Sequence, residues 1–433
     1  MTDIYVETKK CAPFDIYNTL VFPAAFVAGI IGVNFNQYIP FYIVTLFFSL
    51  GTLWNELRFH SVFNSFSTRR KAWGFVLYLL VIPVANVFSW KFNSGYLGWS
   101  VTFLFYDLLI LDAMSLHLLH RREFDQGLQI FWWILFASAI YAIIEYFVRD
   151  NILDYIFPYN YHTVGEGHRS TSFYANSQLG ASLYLLGFWI PCRNTTKKKR
   201  TISRIIFALA MICAMQRGAW LSLLLSLILY AILFFSNRNT QVVSQPEHEK
   251  KETSGITRTV LIICLSCIGV ALLWITGLGS NIVSRIFTSY SAHIRWTYWK
   301  YALNHMLHDR NPLVILFGHG VAASYYLIDK TNVRIDVWRA FDNSYLSYWY
   351  NDGLIIFIGI LICLIRILQR IINTGKRNLH CAEFLTAMGL FTILMSFTFY
   401  DIYSYLYLNV MLAFLGTAVL LDDHIRDDHR DTV

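Results

Sequence analysis

Charged residues are scarce in this sequence. Lys, Arg, Asp and Glu make up 14% of its 433 residues, whereas soluble domains carry about 25%. The chain therefore lacks the polar side chains that a water-facing surface of its size needs. This shortage disfavours a soluble enzyme, a disordered chain and a fibrous protein.

Several patterns that mark soluble catalytic or metal sites are also missing. The seven cysteines are scattered, mostly within apolar runs, and are predicted to be core residues. There is no glycine-rich phosphate loop, no His-Glu-x-x-His and no serine nucleophile elbow. The segment 422–429 has metal-binding residue types, but it is terminal and mixed in charge, so no metal site is predicted.

Long apolar runs dominate what is present. Apolar and aromatic residues make up 56% of the chain, and the mean hydropathy is +0.45. Runs long enough to cross a bilayer, at about 20 residues each, predict twelve transmembrane helices. They lie at about 16–33, 38–56, 72–90, 97–118, 127–147, 178–191, 202–216, 218–236, 259–278, 345–365, 382–399 and 402–421. The predicted fold is therefore an all-α polytopic membrane protein, with residues 1–433 forming a single integral membrane domain.

Basic residues set the predicted orientation. When both termini are placed in the cytoplasm, most of the 35 Lys and Arg residues fall on cytoplasmic segments, and short outer loops are nearly free of them, as the positive-inside rule requires. The same rule accounts for the net charge of +8, so nucleic-acid binding is not predicted.

Three connecting segments are long enough to be described as loops. Two are predicted on the outer face, at 148–177 and 279–344, and the second is the largest and is rich in Trp and Tyr. It begins with an amphipathic run at 286–306, of a kind that often lies in the membrane interface. The polar stretch 237–258 predicts a flexible cytoplasmic loop.

Arginines on the outer face carry the main functional hypothesis. Arg169, Arg217, Arg295 and Arg310 fall there, and outward-pointing helix N-termini are predicted after Arg169 (capped by residue 176 or 177), at Arg217 and at 342–344. Helix N-termini offer free N–H groups and partial positive charge, and arginine adds bidentate donors for phosphate. A lipid diphosphate fits such a site, because its tail needs lipid and its head needs cations. The alternative is that these arginines snorkel to water or headgroups.

Four other outer-face residues are candidates with a simpler interpretation beside the functional one. Asp342 could accept a proton from a sugar hydroxyl or serve as the N-cap of the next helix, and Asn343 beside it is a secondary candidate. His319, in a Gly-His-Gly turn, is a candidate base or sugar contact. Glu145, near the outer end of its span, is a further secondary candidate or an interfacial residue.

Five short motifs resemble, in order, those of the O-antigen ligase and polymerase superfamily. The segment 168–176 resembles its "R-x-x-G-x-F-x-N" outer loop, with Ser172 in place of the glycine. The segment 216–221 resembles its "S-R-G-A" helix start, and Arg295 with Trp299 resembles "R-x-x-x-W". The segment 317–320 resembles "F-G-x-G".

The fifth motif contains the second departure from the family pattern. The segments 342–346 and 351–355 resemble "H-N-x-Y-L" and "E-x-G-L", but Asp342 stands where the ligase pattern has a histidine. The resemblance covers roughly 160–360. Because that histidine is the proposed base of the ligases, its absence favours a Wzy-type polymerase over a ligase.

The resemblance implies an activity, a location and a set of partners. Family members are metal-independent, cofactor-free glycosyltransferases of the bacterial inner membrane that act at its periplasmic face on undecaprenyl-diphosphate-linked glycans. Polymerases join repeat units, with a chain-length regulator as a possible partner, and ligases transfer glycan to lipid A core. By this resemblance Arg217 and Arg295 hold the diphosphate, and Arg169 helps to hold donor or acceptor. Asp342 and His319 remain the candidate catalytic residues, and Arg310, Asn343 and Glu145 are secondary candidates.

A lipid-linked oligosaccharide flippase is the alternative from another functional class. Transporters place ionisable residues near the bilayer midplane and are built from two related halves. The candidates in this chain instead lie on a single membrane face, in loops of unequal length, which favours the glycosyltransferase.

Overall fold

The computed structural model of this chain describes most of its length in segments. These are residues 12–35, 37–59, 105–106, 108–114, 116–117, 120–156, 169–174, 176–190, 196–242, 290–309, 311–320, 323–330, 341–401 and 405–428. The predicted spans 72–90 and 259–278 lie outside these residues, as does part of 97–118. The count of twelve spans therefore stays a prediction.

Regular secondary structure in the described residues is entirely helical, as predicted, with no strand among them. In chain order the α-helices are α1 Ala12–Phe35, α2 Ile39–Phe59, α3 Arg121–Val148, α4 Ser177–Trp189, α5 Lys197–Cys213, α6 Arg217–Val242, α7 Tyr290–His308, α8 Pro312–Phe317, α9 Ala323–Lys330, α10 Ser344–Arg377, α11 Ala382–Ser396 and α12 Leu406–Asp428. A short 3-10 helix, Ile152–Tyr155, follows α3.

Four segments among the described helices are long and apolar enough to cross a membrane. They are Ile16–Phe35, Arg121–Val148, Arg217–Asn237 and Ser344–Arg377. In α6 the outward-facing stripe is itself apolar: Leu221, Leu224, Ile228 and Ile232 are each at least 43% exposed. An exposed apolar stripe of this length suits a lipid surface, where backbone groups are satisfied within the helix.

The aromatic core holds α1, α3 and α12 together. α1 packs against α2, α3 and α12. At its centre the ring of Phe22 lies 4.6 Å from that of Phe131 in α3 and 4.6 Å from that of Phe414 in α12. On the other side of the bundle α4 packs against α5 and α11, and α11 packs against α6 and α10.

A second, smaller core fixes the helices between residues 290 and 330, in the loop that the sequence predicts on the outer face. Ile294 and Tyr298 of α7 pack with Leu327 of α9, and with Phe341 and Tyr350 at the start of α10. The run predicted to be amphipathic is thus helical over Tyr290–His308, and its buried face is directed at α10. This packing determines where Arg295 lies.

α10 is broken at Gly353, and the loop at 318–320 docks into the break. Gly353 has φ 84° and ψ −179°, a conformation open essentially only to glycine. The carbonyls of Tyr350 and Asn351 consequently lose their helical partners and accept from His319 N at 2.9 Å and Gly320 N at 2.8 Å. Gly318, with φ 82°, lies so close that a Cβ atom there would fall 2.1 Å from Asn351 O. Two motifs that are separate in the sequence thus form one joint.

The turn between α11 and α12 is longer than the sequence predicts. α11 ends at Ser396 and α12 begins at Leu406, so the predicted ends at 399 and 402 are too close together. The intervening turn carries polar groups that bind α10, and these override the continuous apolar pattern. The tight turn predicted near 216–218 is confirmed with a small shift: α5 ends at Cys213, and Met215 adopts φ 56° before α6 begins.

Candidate active site

The N-termini of α4, α6 and α10 meet at the same end of the bundle. Gln216, just before α6, donates to Ser177 Oγ at the start of α4 over 2.8 Å. Ser344 N, at the start of α10, donates to Phe397 O at 2.9 Å, in the turn after α11. Asn176 is the N-cap of α4, as the sequence predicts. The partial positive charge of these helix N-termini is therefore concentrated in a small region.

A cavity of about 280 Å³ opens beside these helix ends. It is lined by Arg217, Gly218, Leu221, Arg295, Trp296, Trp299 and Phe399. The two guanidinium groups come from elements 78 positions apart along the chain and are close enough to interact electrostatically. The rest of the lining is apolar or aromatic, so the cavity combines positive charge with a surface that suits a lipid chain.

Arg295 joins this cavity to a buried carboxylate. Its Nε atom donates to Asp342 Oδ2 at 3.2 Å. One helical turn further along α7, Trp299 Nε1 donates to Phe341 O at 2.7 Å. These two bonds hold α7 against the segment that precedes α10.

Asp342 is not the N-cap of α10, which corrects one of its two interpretations. The N-cap is Asn343, whose side chain accepts from Leu346 N at 3.0 Å. Asp342 itself adopts φ 51°, and this turns its carboxylate towards Arg295 instead. Asn343 thus has a structural role, and Asp342 is left available for chemistry.

The surroundings of Asp342 favour a proton acceptor that works near neutral pH. The residue is only 8% exposed. Burial raises the pKa of its carboxyl from 3.8 to about 6; Arg295 opposes this rise, and the nearby Asp401 carboxylate adds to it. A base is most effective when its pKa lies near the working pH, and Asp342 meets that condition.

Asp401 is a site residue that sequence reasoning missed. It lies 5% exposed in the turn between α11 and α12, and Ser347 Oγ donates to its Oδ2 at 2.5 Å. The available signal was an acidic residue between two closely spaced apolar runs, at a turn predicted on the outer face.

Arg169 lies beside the turn that leads to Arg217, but it is not among the residues that line the cavity. Ser170 N donates to Cys213 O at 3.3 Å, which places Arg169 beside the turn that precedes α6. Within the described residues, its Nε atom is buried and has no hydrogen-bond partner. The structure thus groups Arg217 with Arg295 directly and places Arg169 at their margin.

Glu145 holds the loop that carries Arg169. This carboxylate, 2% exposed, accepts from Thr171 N at 2.8 Å and from Ser172 N at 2.7 Å. Ser172 has φ 53°, the left-handed conformation in which glycine is favoured, at the very position where the family motif has glycine. Glu145 and the bond from Ser172 Oγ to Ser138 O, 2.9 Å long, stabilise that conformation without glycine.

His319 lies apart from the Arg217–Arg295 cavity. Its ring stacks on Tyr350 with centroids 4.1 Å apart, and its Nε2 atom lies 3.1 Å from Asp309 Oδ2. Burial lowers the pKa of His319, and the Asp309 carboxylate opposes this shift. The structure thus places His319 in the joint between the 318–320 loop and α10, where its contacts stabilise the docked loop.

The last candidate from the sequence, Arg310, lies outside the described residues. Among the described residues, no group of three or more His, Cys, Asp or Glu side chains is arranged to hold a metal ion.

Comparison with known families finds one similarity within this chain. A family model described as "Wzy_C: O-Antigen ligase" matches residues 202–362. The matched segment contains Arg217, Arg295, His319 and Asp342, and it ends before Asp401. The match confirms the resemblance to the O-antigen ligase and polymerase superfamily. No curated protein matches the chain.

Proposed function

We propose that this chain, which carries the domain of the O-antigen ligase and polymerase superfamily, is a surface-polysaccharide polymerase of the bacterial inner membrane. It would join undecaprenyl-diphosphate-linked repeat units at the periplasmic face. The observation that carries the proposal is the pair of guanidinium groups, Arg217 and Arg295, lining one cavity at the end of an apolar helix.

The two arginines suit the leaving group of this reaction. When the bond between the anomeric carbon and the phosphate oxygen breaks, negative charge builds on the diphosphate. Two guanidinium groups and the N-terminus of α6, fixed in place before the reaction, stabilise that charge more in the transition state than in the bound substrate. The exposed apolar stripe of α6 offers a surface for the polyprenyl chain.

Asp342 completes the proposed step. The acceptor hydroxyl oxygen forms a bond to the anomeric carbon of the donor, and the electron pair of the broken carbon–oxygen bond leaves with undecaprenyl diphosphate. The hydroxyl proton passes to the Asp342 carboxylate. Arg295 pairs with Asp342 at 3.2 Å and also lines the cavity. It would therefore contact both the leaving diphosphate and the base.

A ligase is the second candidate, and the description of the matched family favours it. Ligase and polymerase share the donor and differ in the acceptor, which is lipid A core for the ligase and a second lipid-linked repeat for the polymerase. The aspartate at position 342, where the ligase motif has histidine, favours the polymerase.

The glycan pattern of a deletion strain tests the choice. Loss of a polymerase leaves core carrying a single repeat unit, whereas loss of a ligase leaves bare core and accumulated lipid-linked polymer. We expect the first pattern, restored to full-length chains by the wild-type gene. The second pattern would refute the polymerase assignment and leave the ligase.

A further inference from the structure

We propose that Asp401 is the positioning carboxylate of this site, held by Ser347 at the first turn of α10, and that its charge supports Asp342 as the base. The inference rests on the proposed function, because it assumes that Asp342 receives the acceptor proton. Asp401 lies outside the matched family segment, so its placement comes from the fold of this chain.

The turn that carries Asp401 is anchored to the start of α10. Ser344 N donates to the carbonyls of Phe397 and Tyr400 at 2.9 Å and 3.1 Å, and Ser344 Oγ donates to Tyr400 O at 2.7 Å. The turn at 397–401 therefore cannot shift without breaking contacts to the residue two positions after Asp342.

Within this anchored turn the Asp401 side chain is fixed as well. Ser347, 0% exposed and one turn into α10, donates to Asp401 Oδ2 at 2.5 Å. Asp342 precedes the same helix, so both carboxylates belong to the region around its first turn. A hydrogen bond donated to a carboxylate favours its charged form.

The charges that face Asp342 act in opposite directions. Arg295, from α7, favours the carboxylate form, whereas Asp401, from the turn after α11, disfavours it together with burial. Arg217, which lines the same cavity, adds a second positive charge to that of Arg295. Without the negative charge of Asp401, these positive charges would act on Asp342 unopposed, and its carboxylate would bind a proton more weakly. A weaker base accepts the acceptor proton less readily.

The test is the pH profile of polymerisation in proteoliposomes. The substrates are lipid-linked repeat units extracted from the deletion strain. Wild-type enzyme should lose rate below pH about 6. Asp401→Asn keeps the shape of the side chain and still accepts from Ser347, but it removes the charge. The acid limb, which is the fall in rate at low pH, should therefore move by roughly one pH unit towards lower pH. The KM for the donor should stay unchanged. Asp401→Glu, which keeps the charge, should restore a limb close to that of wild type.

Two further variants keep the result interpretable. Ser347→Ala removes one hydrogen bond to the Asp401 carboxylate while leaving Asp342 intact, and it should shift the limb in the same direction but less. This variant still tests the proposal if Asp401→Asn fails to fold. Asp342→Asn should lose most of its activity at every pH, because it removes the base. If Asp401→Asn and Ser347→Ala both keep the wild-type limb while Asp342→Asn is inactive, the role of Asp401 is refuted and the proposed function stands. If wild-type enzyme does not polymerise these substrates, the proposed function itself is refuted.

Discussion

Arg217→Ala is the perturbation that most directly tests the cavity. It removes one of the two guanidinium groups that line the cavity and leaves Arg295, its bond to Asp342 and the N-terminus of α6 in place. Removing one preorganised donor from a site that stabilises developing negative charge costs roughly 10²–10³-fold in rate, or about 2.7–4 kcal/mol. Because the proposal also has Arg217 bind the diphosphate of the bound substrate, part of the loss should appear as a higher KM.

The assay has a chain-length and a kinetic readout. In cells, Arg217→Ala should abolish long glycan chains while membrane levels of the protein persist. In proteoliposomes the rate should fall by the factor given above. Arg217→Lys keeps the charge but loses the planar fork that binds phosphate through two bonds, so it should also lose most of the activity.

A matched control separates the site from a general effect of losing an arginine. Arg121 is, like Arg217, the first residue of a long apolar helix, but it is exposed and is not part of the cavity lining. Arg121→Ala should retain normal chain lengths. Normal chains in Arg217→Ala, or equal losses in both variants, would refute the assignment of the cavity to the diphosphate.

Three further predictions follow from individual contacts. Burial raises the pKa of Asp342 to about 6. As the proposed base it acts in its deprotonated form, so the rate should fall as the pH drops through 6; an undiminished rate at pH 5 would contradict its role as the base. Gly353→Ala forces a side chain into a conformation that costs about 1–3 kcal/mol and places its Cβ 2.3 Å from a backbone oxygen, so it should lower Tm, whereas Gly416→Ala, with nothing within 4 Å, should not. Glu145→Gln weakens the bonds to two loop N–H groups, so trypsin should cleave faster after Arg169 in vesicles that expose this loop; unchanged cleavage would show that Glu145 does not hold the loop.

The helices were the part of the fold most accessible to sequence reasoning. Apolar runs predicted α1 to α6 and α10 to α12 to within a few residues at most ends, because a membrane helix must be apolar along its whole length. The extension of α10 to Arg377 was missed, since its last turns are polar and continue past the apolar stretch. The turn between α11 and α12 is longer than predicted, because its residues are mostly apolar and read as helix in the sequence. Hydrogen bonds from Ser344 to the carbonyls of Phe397 and Tyr400 hold this turn in a non-helical conformation.

The candidate site was only partly accessible. Arg217 and Arg295 were identified by residue type and by resemblance, and the structure places them on the same cavity. His319 was grouped with them, although its ring lies against Tyr350 and Asp309 instead. Asp401 was missed, because an isolated aspartate in a turn has no motif of its own.

The sequence by itself determined that this chain is helical, apolar and basic on its predicted cytoplasmic side, since composition and the period of the apolar pattern are local properties. Only the tertiary structure decided which polar groups meet. It placed Arg217 and Arg295 on one cavity and brought Asp401 to the first turn of α10, which Asp342 precedes. Such meetings depend on how α7 and the turn after α11 pack against α10, and side-chain packing between segments far apart in the chain leaves no periodic trace in the sequence.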